Sequence, residues 1–240
     1  MLEVIGFTLE GLIRAQEAGA QRIEICDNPG EGGTTPSAGF IKIAKRVLSI
    51  PLFPIIRPRG GDFFYSEEEY EMMVTDVLIC KNLECAGVVI GILTREGEVD
   101  FYKTKKLVEL AHPMQVTFHR AFDRVADPFQ ALGDLIDCGC SRVLTSGQKP
   151  DALSGAGMIA KLIEEADNRI IIMPGSGVTS ENILEIKRTT GATEFHSSAR
   201  KKIPGRMTFN NPDMNENLES FSVDEDEIKR MLAVLNTPET

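Results

Sequence analysis

No run of apolar residues in this chain reaches the ~20 that a membrane-spanning helix needs. Runs such as GVVIGIL at 87–93 are strand-sized instead. The opening MLEVIGFTLEGLIRA carries Glu3 and Glu10 and no basic n-region, so it does not read as a secretory signal. Five cysteines in 240 residues are too few, and odd in number, for a disulfide framework. That argues for reduced thiols and a cytoplasmic setting. Basic charge is also in short supply. Lys and Arg total 26 against 36 Asp and Glu, a net charge of −10. Such a balance disfavours non-specific binding to nucleic acid or an anionic membrane. No HExxH, CxxC, P-loop or GxGxxG string occurs, which removes the commonest zinc, redox, nucleotide-phosphate and dinucleotide signatures.

What the chain does contain is a recurring unit. A Gly-containing turn is followed within a few residues by a short β-branched run in AGAQRIEIC, ECAGVVIGI, CGCSRVLTSG and TGATEFHSS. Glycine suits the left-handed turn that ends a helix, and the apolar run fits a buried parallel strand. LEVIGF, LFPIIRP, QVTFHRAF and RIIIMPG complete eight candidate strands. Capping residues mark the helices between them: Thr8, Ser37, Ser66 with Glu69 as a capping box, Asp100, and Asp127 before Pro128. The sixth helix is expected over about 155–166, the seventh after Ser180, and the last with Ser222 and Glu225 as its cap. Strict βα alternation at this length, close to the ~250 residues typical of the class, predicts an α/β fold. More specifically it predicts a single (β/α)₈ TIM barrel over 1–240. The stretch 201–220, Asn-rich and lying between strand eight and the last helix, is expected to be an irregular loop, either a surface loop or a lid.

In such barrels the chemistry gathers where strands end and βα-loops begin. Those positions hold Glu24, Cys26 and Asp27 after strand two, and Arg57, Arg59 and Asp62 after strand three. His119, Arg120 and Asp123 follow strand five, Thr145 and Ser146 strand six, and His196, Ser198 and Arg200 strand eight. Glu24, His119, Asp123 and His196 are candidates for proton transfer, with buried structural roles as the alternative. Arg57, Arg59, Arg120 and Arg200 match carboxylate or phosphate, unless they tie down loops through Glu24, Asp62 and Asp123. Gly175, Ser176 and Gly177 after strand seven, with Ser198 and Arg200 after strand eight, occupy the recurrent phosphate position of these barrels. Cys26 alone among the cysteines stands at a strand end. The Cys138–Gly139–Cys140 pair has a chelating spacing but precedes strand six, at the opposite face.

Taken in order, GAQRIEIC, EGGTTPS, IIRPRGGDFFYSEEE, VTFHRAFD, LTSG, RIIIMPGSGV and TEFHSSAR closely resemble the CutC family. Those barrel proteins are associated with copper homeostasis. The resemblance implies a cytoplasmic (β/α)₈ barrel, often a homo-oligomer, with Cu(I) bound by cysteines near the barrel mouth. One of these corresponds to Cys26, while the other falls on Ile5 here. Cu(I) prefers at least two soft ligands, so a thioether from Met173 or Met207 would have to serve. Two further readings stand beside copper binding. One is a lyase, isomerase or hydrolase acting on a small phosphorylated or carboxylated metabolite. The other is an oligomeric scaffold with a degenerate pocket.

Overall fold

Eight short parallel strands form the inner wall of the computed structural model, which describes residues 1–209 and 211–237. Asn210, inside the expected loop, and 238–240 lie outside the described residues. The strands are β1 (Leu2–Gly6), β2 (Arg22–Ile25), β3 (Leu52–Pro54), β4 (Gly87–Ile90), β5 (Gln115–Phe118), β6 (Arg142–Thr145), β7 (Ile171–Pro174) and β8 (Phe195–Ser197). Between and after them run α1 (Leu9–Glu17), α2 (Ala38–Val47), α3 (Glu67–Asn82), α4 (Phe101–Ala111), α5 (Pro128–Cys138), α6 (Ala156–Ala166), α7 (Ile183–Thr190) and, near the chain's end, α8 (Glu225–Leu235). Two hydrogen-bonded arcs, β3-β2-β1-β8 and β4-β5-β6-β7, make up the wall. The Ile56 amide donates to the Val89 carbonyl at 2.7 Å and joins β3 to β4. This is a (β/α)₈ barrel.

Alternation along each strand decides what faces where. Leu2, Val4, Ile23, Ile25, Val88, Ile90, Val116, Phe118, Val143 and Phe195 point outward and are buried under the helices. Each such side chain, fully buried, contributes about 1.5–3 kcal/mol. Glu3, Ile5, Arg22, Glu24, Phe53, Ile55, Arg142 and His196 take the intervening inward positions, and all are buried. The barrel interior therefore mixes charged side chains with apolar ones.

The caps form as expected at Thr8, Ser37, Ser66 with Glu69, Asp100 and Asp127. The last helix differs. Asp224 caps it, accepting from the amides of Asp226 and Glu227, while Ser222 lies in a strand. That strand, β10 (Ser220–Val223), pairs antiparallel with β9 (Arg200–Ile203). So the stretch 201–220 is not wholly irregular: a hairpin frames it at both ends. Among the described residues no helix is long and apolar enough to cross a membrane.

Candidate functional site

A cleft of about 910 Å³ opens at the C-terminal ends of the strands. Ile5, Glu24, Ile55, Leu144 and His196 form its floor, with Arg57 and His119 on the wall. Loops after β2, β3, β4 and β5 build the rim with Glu31, Asp62, Phe63, Phe64, Arg95, Arg120 and Arg124.

Below the floor lies a charged layer that the strand-end reading missed. The Glu3 carboxylate receives Arg22 Nε and lies 2.8 Å from His196 Nδ1. Arg22 Nη2 reaches Glu194 at 2.7 Å, and Arg142 Nε reaches the same carboxylate at 3.1 Å. Both guanidinium groups lie over the Phe53 ring, at 5.1 and 5.4 Å. Glu24 sits above, with a carboxylate oxygen 3.6 Å from His196 Nδ1. Glu3, Glu24 and His196 thus converge, their nearest polar atoms all within 4.8 Å of one another.

The two carboxyl groups are pushed apart. Burial disfavours the charge on Glu3, but the His196 hydrogen bond and the Arg22 charge outweigh it and hold Glu3 at about 2. Glu24 has no guanidinium bonded to it. Burial, with the charge on Glu3 adding to it, lifts Glu24 to about 7, although His196 and the Cys26 thiol pull the other way. His196 is opposed by burial yet raised overall by the Glu3 hydrogen bond and the two carboxylate charges. Two like groups with separated proton affinities are the arrangement that assigns one as a fixed charge and the other as an acid–base group.

His119 is held differently. Its Nδ1 accepts the Ala121 amide at 3.1 Å, so the ring hydrogen belongs to Nε2. Burial, and then the Arg57 charge, lower its pKa to about 3, so the imidazole stays neutral. The Nε2–H is buried and has no hydrogen-bond partner among the described residues. Gly91 makes room for the ring, since a Cβ there would come within 2.2 Å of it. Arg57 Nη1 donates to the carbonyls of Glu31 (2.6 Å) and Gly33 (2.8 Å), and Nη2 to that of Gly61 (2.8 Å). Its Nε is also buried without a hydrogen-bond partner among the described residues. The Phe63 ring lies 5.0 Å from the Arg57 guanidinium and 5.0 Å from the His119 ring.

Other expected site residues are placed elsewhere or already occupied. Asp123 accepts from Thr145 Oγ1, the Ser146 and Gln148 amides and Arg120 Nε. Its lone pairs are taken up in anchoring the β6 loop, which leaves none for catalysis. Arg59 pairs with Glu69 (2.6 Å) and Asp62 (3.1 Å) and lies over Tyr65. The expected anion set after β7 and β8 is not brought together in the cleft. The Gly175 amide donates to Thr145 O at 2.9 Å, and Ser176 Oγ donates to Pro150 O at 2.9 Å. Gly177 packs against Asp151. Ser198 lines a separate small recess with Arg200, whose guanidinium lies between the rings of Phe7 and Phe221 at 5.0 and 4.9 Å.

At the cleft the donor set does not fit a Cu(I) ion. Cys26 is fully buried behind Ile5 and Ile55. Burial and the neighbouring Glu24 carboxylate raise its pKa well above the usual thiol value, whereas a metal takes the thiolate. Met173 Sδ is 3.1 Å from Arg22 Nη2, and Met207 is 72% exposed on the far hairpin loop. Cys138 and Cys140 are buried around the turn before β6.

Comparison with known proteins gives the lineage. The CutC family model matches residues 1–201. The chain belongs to the CutC family. A family protein CutC from Chromobacterium violaceum is 50% identical over 209 residues, 87% of this chain and 85% of its own length. The human copper homeostasis protein cutC homolog is 46% identical over 211 residues, 88% of this chain and 77% of its own. Among solved structures, the copper homeostasis protein CutC from Streptococcus agalactiae superposes with a TM-score of 0.79. Its identity is 36%, over 82% of this chain and 98% of that one. The family match ends at 201, so β10 and α8 lie beyond the matched segment.

Proposed function

We propose that the cleft binds a small anionic metabolite carrying a carbonyl group and that Glu24 moves a proton on it. The chain is then an isomerase or lyase. The observation that carries this reading is a pairing within one cleft. A carboxyl group held near neutrality shares the space with a neutral imidazole whose Nε2–H has no partner. The Glu24 carboxylate takes the proton from carbon next to the carbonyl, and the C–H electron pair becomes the C=C bond of an enolate. Negative charge gathers on the former carbonyl oxygen. His119 Nε2–H and Arg57 Nε–H are the donors available to it, already fixed and shielded from water, where such bonds act most strongly. Glu24 returns the proton to the same or the neighbouring carbon. A pKa near 7 suits a group that must both accept and release a proton at neutral pH. His196, bonded to Glu3, places its ring 3.6 Å from the Glu24 carboxyl, close enough to act on it through charge.

Relatives named for copper homeostasis suggest a copper association, but the residues around Cys26, the thiol at the barrel mouth, argue against a site there. Five free, buried thiols suit a reducing compartment, the cytoplasm. The test is deuterium incorporation from D₂O into a panel of phosphorylated and carboxylated carbonyl compounds, followed by proton NMR. Exchange into one class of compound, lost in Glu24→Gln, is expected. Exchange that persists in Glu24→Gln, or no exchange into any member while Cu(I) binds stoichiometrically through Cys26, would overturn the reading.

A further inference from the structure

The cleft rim is electrically lopsided. Its acidic groups, Glu31 and Asp62, stand on the β2 and β3 loops, and Asp62 is already paired with Arg59. Across from them, the β4 and β5 loops present Arg95, Arg120 and Arg124. The Arg124 side chain makes no ion pair and no hydrogen bond among the described residues, and that of Arg95 touches only the face of Phe64, at 5.0 Å. Neither Glu96 nor Glu98 pairs with Arg95. Arg120 is bonded on one edge, Nε to Asp123 (2.7 Å) and Nη2 to Ser146 (2.8 Å), and its remaining edge is uncommitted.

These arginines belong to one tied structure. The Ala126 amide donates to Gly97 O at 2.9 Å, which locks the turn bearing Arg95 against the segment bearing Arg124. The Leu93 amide donates to Phe63 O at 2.9 Å and adds the Phe63–Phe64 loop. Deeper in, the same cleft holds the two buried, unpartnered donors, Arg57 Nε and His119 Nε2. A chain of net charge −10 thus concentrates uncompensated cations at one edge of one cleft, above donors that lack an acceptor.

Resting on the proton-transfer reading above, we propose that Arg95, Arg124 and the free edge of Arg120 seat the phosphate of a small phosphomonoester. Its oxygen-bearing end then reaches Arg57, His119 and Glu24. A carboxylate offers two oxygens and one charge, which a single guanidinium fork satisfies. Two guanidinium groups without carboxylate partners, with the free edge of a third, match a dianion with three terminal oxygens. The position differs from the usual β7–β8 phosphate site, where the Gly175 amide and the Ser176 hydroxyl are already bonded and Arg200 lies between two aromatic rings.

The probe is inorganic phosphate, titrated calorimetrically at low ionic strength, with acetate as the carboxylate comparison. Arg95→Ala combined with Arg124→Ala is expected to weaken phosphate binding at least tenfold with the melting temperature unchanged, because neither side chain holds the fold together. Arg200→Ala is expected to leave phosphate binding as it is. Equal phosphate binding by the double variant, loss in Arg200→Ala instead, or acetate binding as tightly with the same arginine dependence each overturn the subsite. If phosphate binds as expected and no compound exchanges deuterium, the subsite stands and the proton-transfer reading fails.

Discussion

Arg57 is the side chain whose removal has the most calculable result. Its guanidinium donates to three backbone carbonyls, those of Glu31, Gly33 and Gly61, and so fastens the β2 loop to the β3 loop from inside the cleft wall. A hydrogen bond from a charged donor contributes roughly 1.5–3 kcal/mol, so three give about 4.5–9 kcal/mol. Both loops are largely exposed, so water recovers part of this when the strut is cut. Arg57→Met, which keeps an apolar stem under Phe63, is therefore expected to cost about 4 kcal/mol. At ~2–4 °C per kcal/mol for a chain of this size, the melting temperature falls by about 8–16 °C. Amide hydrogen exchange should accelerate over 28–33 and 60–64 and leave β5 and β6 protected. Arg57→Lys, a point charge on a flexible stem, should fall between. His119 supplies a second readout. Burial is the larger cause of its lowered pKa and the Arg57 charge the next, so in Arg57→Met the imidazole should titrate above about 3 yet below its usual 6.5. A melting temperature within about 2 °C of the parent, with loop exchange unchanged, would refute the strut.

Two further outcomes follow from the same chemistry. Glu24 has a folded pKa of about 7 against an unfolded value of 4.5. Its stabilising contribution is complete below 4.5 and is lost as pH rises through 7, by at most ~3 kcal/mol at 1.36 kcal/mol per unit. Relative to the parent, Glu24→Gln should therefore gain stability in urea melts between pH 5 and pH 8. His119 works in the opposite sense below pH 6.5 but is common to both proteins and cancels; a pH-independent difference would contradict the assignment. Separately, Ile5 packs in the same small cluster as Cys26, so Ile5→Cys places a second thiol beside the first. In an anaerobic competition against a chromophoric chelator, the variant should bind one Cu(I) at least a hundredfold more tightly than the parent. Equal affinities would undo the argument from the donor set.

The barrel was legible in the sequence because its signals are local. Gly139 and Gly191 end helices in the left-handed conformation just before β6 and β8, and Thr8, Ser37, Ser66, Asp100 and Asp127 hold their caps within three residues. The hairpin was not legible, because RKKI at 200–203 and SFSV at 220–223 pair across sixteen intervening residues. Ser222 satisfied a capping pattern but was drawn into that pairing, leaving the cap to Asp224. Glu24, His119 and His196 stood out because they end strands. Glu3, Arg22 and Glu194 did not, since which early strand positions face inward depends on how the barrel closes. Polar residues alternating inside strands that should be continuously apolar were the available signal. The expected β7–β8 anion site followed the habit of the fold, yet what its donors meet is set by neighbours far along the chain, such as Thr145 for the Gly175 amide and Pro150 for the Ser176 hydroxyl. Arg95 and Arg124 drew no notice because nothing in sequence shows that an arginine lacks a partner.

Glu24 itself is the direct test of a cleft poised for proton transfer. Carbon-13 NMR of protein labelled at the glutamate carboxyl carbons, with the resonance assigned by its absence in Glu24→Gln, reads the titration without substrate. One carboxyl resonance should titrate with a midpoint near 7 while Glu3 stays ionised throughout. If the resonance lost in Glu24→Gln titrates below pH 5, Glu24 is an ordinary buried carboxylate and the proposed chemistry has no base.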